Sequence, residues 1–114
     1  MWEKTTLEDK NRLKKRKDFT KTYRRGKSAN GRSVILCYRK TTEPYFRVGF
    51  TVSKKVGKAV VRNKVRRRLK EIVRLNGEAF AAGYDYIFIA RSKAKDTPYG
   101  KLEHDVLSLA KRVK

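Results

Sequence analysis

The chain has 114 residues, enough for one domain with a modest core. It carries 32 Lys and Arg against 11 Asp and Glu, a formal charge of +21. Self-repulsion at that charge disfavours the compact state and calls for a polyanionic partner. Six Tyr, five Phe, one Trp and a hydrophobic content of 39% nevertheless exclude simple disorder. No apolar run approaches the length of a membrane span, and Met1 to Lys10 lacks the apolar core of a secretory signal. One Cys (Cys37) excludes an internal disulfide or a thiolate zinc cluster, and one His (His104) leaves little for a side-chain metal site. Nucleic acid is the polyanion expected, in a reducing cytoplasm.

In chain order, residues 1–12 have no apolar periodicity and read as a flexible arm ahead of a single α/β domain over 13–114, expected to bind the polyanion. Asp18 is placed to cap a short helix with Phe19 and Tyr23 on one side, stopped by Gly26. The Gly26-Lys27-Ser28 triplet is no phosphate loop, since Lys21 stands where the earlier glycine is needed. Ser33 to Arg39 reads as a strand with both faces partly apolar, and Thr41-Thr42-Glu43-Pro44 as a turn. From Phe46 to Ser53, Phe46, Val48, Phe50 and Val52 alternate with Arg47, Gly49, Thr51 and Ser53. A hairpin between these two strands is the natural expectation.

The stretch from Lys54 to Arg74 packs ten Lys or Arg into 21 residues with one acid, Glu71, yet keeps helical order. Val61, Val65, Leu69 and Ile72 share one side. Arg62, Arg66, Lys70 and Arg74 run along a neighbouring side, with Asn63 and Arg67 beside them. Ordinary surface helices intersperse both signs, and like charges four apart repel, so this rail implies an anionic partner. Its arginines suit bidentate contacts to phosphate and stacking on bases. Asn63 can hydrogen-bond RNA, hold a hydrated metal ion at its phosphates, or cap a local bend. Gly57 marks entry to the helix and Asn76-Gly77 its exit. Tyr84 to Ala90 is a further strand. Thr97-Pro98 opens a last helix striped by Tyr99, Leu102, Val106, Leu109 and Val113. The order is helix, two strands with room for a third, basic helix, strand, helix: an α/β (α+β) two-layer sandwich with one sheet and about three helices.

Phe19 and Tyr23 read equally well as core or as the wall of a groove whose floor is the sheet face bearing Ile35, Cys37 and Thr51. Single-stranded RNA binds such surfaces by stacking and backbone contacts. No catalytic constellation of base, activated nucleophile or metal cage is visible. An autonomous nuclease is therefore disfavoured, while a structural ribosomal or RNA-chaperone protein remains the alternative.

The run Val52-Ser53-Lys54-Lys55-Val56-Gly57-Lys58-Ala59-Val60-Val61-Arg62-Asn63-Lys64-Val65-Arg66-Arg67 resembles the signature of the bacterial ribonuclease P protein subunit. Arg12-Leu13, Asp18-Phe19, Arg47-Val48-Gly49 and the strand Tyr86 to Arg91 support the resemblance, which covers about residues 11 to 114. It implies an accessory subunit of an endoribonuclease whose catalytic site is in an RNA. That RNA removes the 5′ leader of precursor tRNA with Mg²⁺ that it holds itself. It also implies a left-handed βαβ crossover. Separately, the protein alone is expected to be a monomer. By resemblance, Lys54, Lys55, Lys58, Arg62, Asn63, Lys64, Arg66, Arg67, Lys70 and Arg74 dock the catalytic RNA, with Mg²⁺ shared near Asn63. Phe19, Tyr23, Ile35, Cys37 and Thr51 match the leader cleft. The chain departs from the family at Cys37, where some members have an aromatic residue, and at Lys64, where many have Arg.

The charge generates a first prediction. Sulfate or polyphosphate should raise the melting temperature by binding the folded state, and an unmoved melting curve at moderate concentration would contradict it.

Overall fold

A computed structural model describes residues 8–113. Its elements are α1 (Arg16–Arg25), β1 (Lys27–Asn30), β2 (Val34–Lys40), β3 (Arg47–Thr51), α2 (Ala59–Leu75), β4 (Tyr84–Ala90) and α3 (Tyr99–Ala110). The strands form one mixed sheet in the order β1-β2-β4-β3, with β3 and β4 parallel and the other pairs antiparallel. One mixed sheet with three helices is the α+β class expected, with α2 carrying the chain from β3 to β4, although the helices cover both faces of the sheet and not one.

The hairpin expected between β2 and β3 does not form, because β4 lies between them. Residues 41–46 instead pass over the start of β4. Thr41 donates to Gly83 O at 2.7 Å and Gly83 donates to Tyr45 O at 3.2 Å, so one glycine ties down both sides of the crossing. Gly83 has φ +84°, a conformation that favours glycine. The hairpin partner of β2 is β1, in the register Lys27 to Tyr38 through Asn30 to Ile35, closed by Gly31 donating to Val34 O at 2.8 Å.

Alternation along β3 is as read: Val48 and Phe50 point to the main core, Arg47, Gly49 and Thr51 away from it. On the core side Val48, Leu36, Tyr86 and Phe88 pack with Val65, Leu69, Ile72 and Val73 of α2 and Leu102, Val106 and Leu109 of α3. Phe80 closes that core, meeting Tyr86 and Phe88 edge to face at centroid distances of 5.0 and 6.1 Å. Two helix-boundary readings shift. Asp18 does not cap α1, which begins at Arg16 after Lys15. Thr97 does not cap α3: its hydroxyl donates to Lys93 O at 2.7 Å. Gly26 does stop α1, but at an extended φ of −86°. Its requirement is close approach, since a Cβ there would lie 2.4 Å from Tyr38 O.

The opposite face of the sheet carries α1, which has few apolar side chains to bury and is joined to the sheet by Phe19 packing on Gly49 and by polar contacts. Asp85 on β4 is fully buried. It accepts from Arg47 Nε and Nη2, both at 2.8 Å, and from Arg39 Nη2 at 3.4 Å. Arg39, Asp85 and Arg47 are register partners across β2, β4 and β3. Arg47 also reaches Asp18 of α1 at 3.5 Å, extending the network from the sheet into the helix.

Residues 1–7 of the arm expected over 1–12 lie outside the described residues. The remainder is docked: Asn11 Nδ2 donates to Phe46 O at 2.7 Å, Arg12 forms a parallel bridge with Val48, and Leu13 N–H donates to Val48 O at 2.9 Å. The outer edge of β3 recruits this segment because its backbone groups otherwise face solvent.

Removing one partner of a buried ion pair strands the other charge, so Asp85→Ala should cost roughly 3–5 kcal/mol. Urea unfolding in stabilising sulfate measures it, and a loss below about 1 kcal/mol would contradict the role given to Asp85.

Candidate nucleic-acid interface

α2 runs without a break from Ala59 to Leu75, so Asn63 caps no bend. Val65, Leu69, Ile72 and Val73 are buried, which turns Asn63, Lys64, Arg67 and Lys70 outward and leaves Arg62 and Arg66 half-buried at the margin. The start of the helix has no side-chain cap at Lys58 and no acid in its first turn. Helices usually satisfy those N–H groups with Ser, Thr, Asp or Asn. Here the positive end of the dipole lies among exposed Lys54, Lys55 and Lys58, the arrangement that receives phosphate. The Nε of Arg62 is buried without a hydrogen-bond partner. A donor left in that state needs an acceptor from outside the chain.

The rail is not uniform. Arg74 is engaged with Glu71 at 3.2 and 2.6 Å, so its charge is largely neutralised and it is the cation least available to a partner. Asn63 Oδ1 accepts from Arg66 Nη1 at 3.4 Å. Its sequence neighbours on the rail are cations, and among the described residues no group of three or more His, Cys, Asp or Glu is placed to hold a metal ion. Among the described residues Asn63 therefore has no cluster of acidic, His or Cys ligands beside it.

Phe19 and Tyr23 lie side by side on α1, ring centroids 6.4 Å apart and planes 20° apart. Tyr23 is 45% exposed, and its hydroxyl is 2.8 Å from Thr51 Oγ1. Phe19 is half-buried with its ring tip over Gly49, where a Cβ would come within 2.5 Å of Cζ. The missing side chain at Gly49 is therefore the socket for Phe19. Ile35, Cys37 and Thr51 are half-buried on the same face of the sheet. Burial pushes the Cys37 thiol up, so it stays protonated at neutral pH and acts as a small apolar group.

The two surfaces meet. A hollow of about 160 Å³ is lined by Phe19 and Gly49 on one side, Arg66 and Lys70 on another, and Arg12, Leu13 and Lys14 from the docked N-terminal segment. Arg12 and Lys14 were not among the residues expected to bind RNA. Their signal was the basic-apolar-basic alternation about Leu13, a period-two pattern matching the edge of β3. Glycine at position 49 generates a prediction. Gly49→Ala should displace Phe19 and weaken binding of a short single-stranded RNA about tenfold, the scale of one lost base stack. Fluorescence anisotropy reads the change, and an unaltered affinity would contradict the groove assignment.

Comparison with known proteins identifies the family. The family model described as Ribonuclease P matches residues 7–114. The ribonuclease P protein component of Alkaliphilus oremlandii is 45% identical over 103 residues, covering 90% of each chain. That of Clostridioides difficile is 46% identical over 101 residues, 88% of this chain and 89% of its own. Among solved structures, the RNase P protein of Thermotoga maritima superposes with a TM-score of 0.84 at 33% identity, covering 90% of this chain and 97% of the other. That of Staphylococcus aureus gives 0.81 at 32%, covering 89% and 93%. The chain belongs to the ribonuclease P protein family and is a protein subunit of that endoribonuclease.

Proposed function

We propose that this chain grips two RNAs at once: the catalytic RNA of ribonuclease P along α2, and the 5′ leader of precursor tRNA in the groove between α1 and the sheet. The observation that carries the reading is the shared hollow, where Phe19 of the groove and Arg66 and Lys70 of the rail line one surface. Lys54, Lys55 and Lys58 with the uncapped start of α2, then Arg62, Asn63, Lys64, Arg66, Arg67 and Lys70, supply phosphate contacts. Arg74 contributes least, being held by Glu71. Tyr23 offers an exposed ring for stacking above Ile35, Cys37 and Thr51.

In this reading the chemistry belongs to the RNA, where bound Mg²⁺ would supply an activated water. The protein's residues lower the repulsion between two polyanions and hold the leader, so they act through binding. One protein chain, monomeric by itself and working in the bacterial cytoplasm, joins one RNA interface to another. The ribosomal or chaperone alternative has no feature to favour it, since the ordered signature spans the rail itself.

Reconstitution tests the proposal. The chain should enhance cleavage at the mature tRNA 5′ end at low Mg²⁺ only when bacterial ribonuclease P RNA is present. Cleavage by the protein alone, or no enhancement, would sink it. Arg62→Ala with Arg66→Ala should weaken binding to the catalytic RNA at least tenfold, each arginine losing a charge-assisted contact, with the melting temperature nearly unchanged. Leader binding through about six phosphate contacts should give a log-log salt slope near −4.

A further inference from the structure

At the Asp18 end of α1, away from Tyr23 and Thr51, the same sheet face opens into a hollow of about 660 Å³. It shares no residue with the hollow between rail and groove. Six cations line it: Lys15, Lys17 and Lys21 of the first helix and its approach, Arg39 and Lys40 of β2, and Arg47 of β3. Against them stand Asp18 and Glu43 at the wall and Asp85 beneath, so three positive charges are in surplus. A concave surface with that surplus focuses the field and attracts anions.

Arg47 is committed, with both Asp85 contacts at 2.8 Å and Asp18 at 3.5 Å. Arg39 is different. It keeps one long contact to Asp85, at 3.4 Å, and its Nε is buried without any hydrogen-bond partner, although the side chain is only 22% exposed. A guanidinium taken that far out of water with an unused donor is destabilising unless an acceptor arrives. Lys17, Lys21 and Lys40 are exposed around it and free to close on an anion. The first turn of α1, which has no side-chain cap, opens beside them.

We propose that this hollow is a phosphate-binding site, built around Arg39 and taking either an RNA phosphodiester or a free polyphosphate. It is distinct from the α2 rail and from the Tyr23 groove, and it does not depend on which RNAs those surfaces bind. Lys17, Lys21 and Lys40 supply mobile charge, and Arg39 supplies the oriented fork that fits phosphoryl oxygens.

The test titrates the full chain with inorganic tripolyphosphate while amide resonances are followed. Three forms are compared: the natural sequence, K17Q/K21Q/K40Q, and the rail control R62Q/R66Q. Exposed lysines make the triple variant safe for folding, and R39Q is the sharper companion. Shifts at residues 15–18 and 39–43 should persist in the rail control. In the triple variant and in R39Q they should need about tenfold more tripolyphosphate. Shifts confined to α2, or shifts at 39–43 that neither variant weakens, would overturn the site. A second arm adds single-stranded RNA to the tripolyphosphate complex. Replacement of the tripolyphosphate shifts at 39–43 by RNA-induced ones identifies an RNA phosphate as the occupant. Their retention with RNA bound elsewhere identifies a free polyphosphate.

Discussion

The position of α1 depends on a carboxylate that has left water entirely. Asp85 sits on the central strand β4 and is neutralised by guanidinium groups from the strands on either side, Arg39 on β2 and Arg47 on β3. Because Arg47 also holds Asp18, one buried charge ties three strands to the helix above them. Phe19 and Tyr23 sit one and five residues beyond Asp18, so the anchor sets where their rings stand relative to Gly49 and Thr51. A chain with 32 cations and 11 acids has few carboxylates to spare. Burying one on an inner strand is structurally costly unless its geometry is good, and two 2.8 Å bonds from a single guanidinium make it good.

The remaining cations are distributed by the same logic. Core packing by Val65, Leu69, Ile72 and Val73 leaves the basic positions of α2 nowhere to go but outward or along the margin. At the margin Arg62 carries a buried donor without a partner, as does Arg39 across the molecule. Such donors are uncommon in folded proteins, and two of them in the described residues of a strongly cationic chain are consistent with surfaces completed by bound anions. The folded state and the polyanion-bound state are then energetically linked, each favouring the other.

Much of this was legible from residue order. The alternation through Phe46 to Ser53, the stripe on the basic helix and the terminal amphipathic helix all appear where the pattern puts them. Strand neighbours were not legible from proximity in sequence. The informative cue lay in Tyr86-Ile87-Phe88-Ile89-Ala90, an apolar run without alternation, which belongs to a central strand covered on both faces. β3 alternates and lies at the edge, so β4 had to stand between it and β2. Short polar β1 gives no hydrophobic signal at all and exists because β2 has a free side. The docking of residues 8–12 escaped notice for a related reason. Asn11 and Arg12 are held by the β3 edge, a tertiary partner that local periodicity cannot reveal. The socket at Gly49 was equally hidden, since a glycine in a strand does not announce which ring it admits.

The central claim is that α1 and the sheet hold the leader while α2 holds the catalytic RNA. Cys37 is the chain's one cysteine and lies half-buried on the proposed leader face. A short photoreactive group attached to its thiol therefore reports directly on what occupies that groove in a reconstituted holoenzyme carrying precursor tRNA. The account predicts crosslinks to leader nucleotides, lost when mature tRNA replaces the precursor. Crosslinks only to the catalytic RNA, unchanged by removal of the leader, would contradict it.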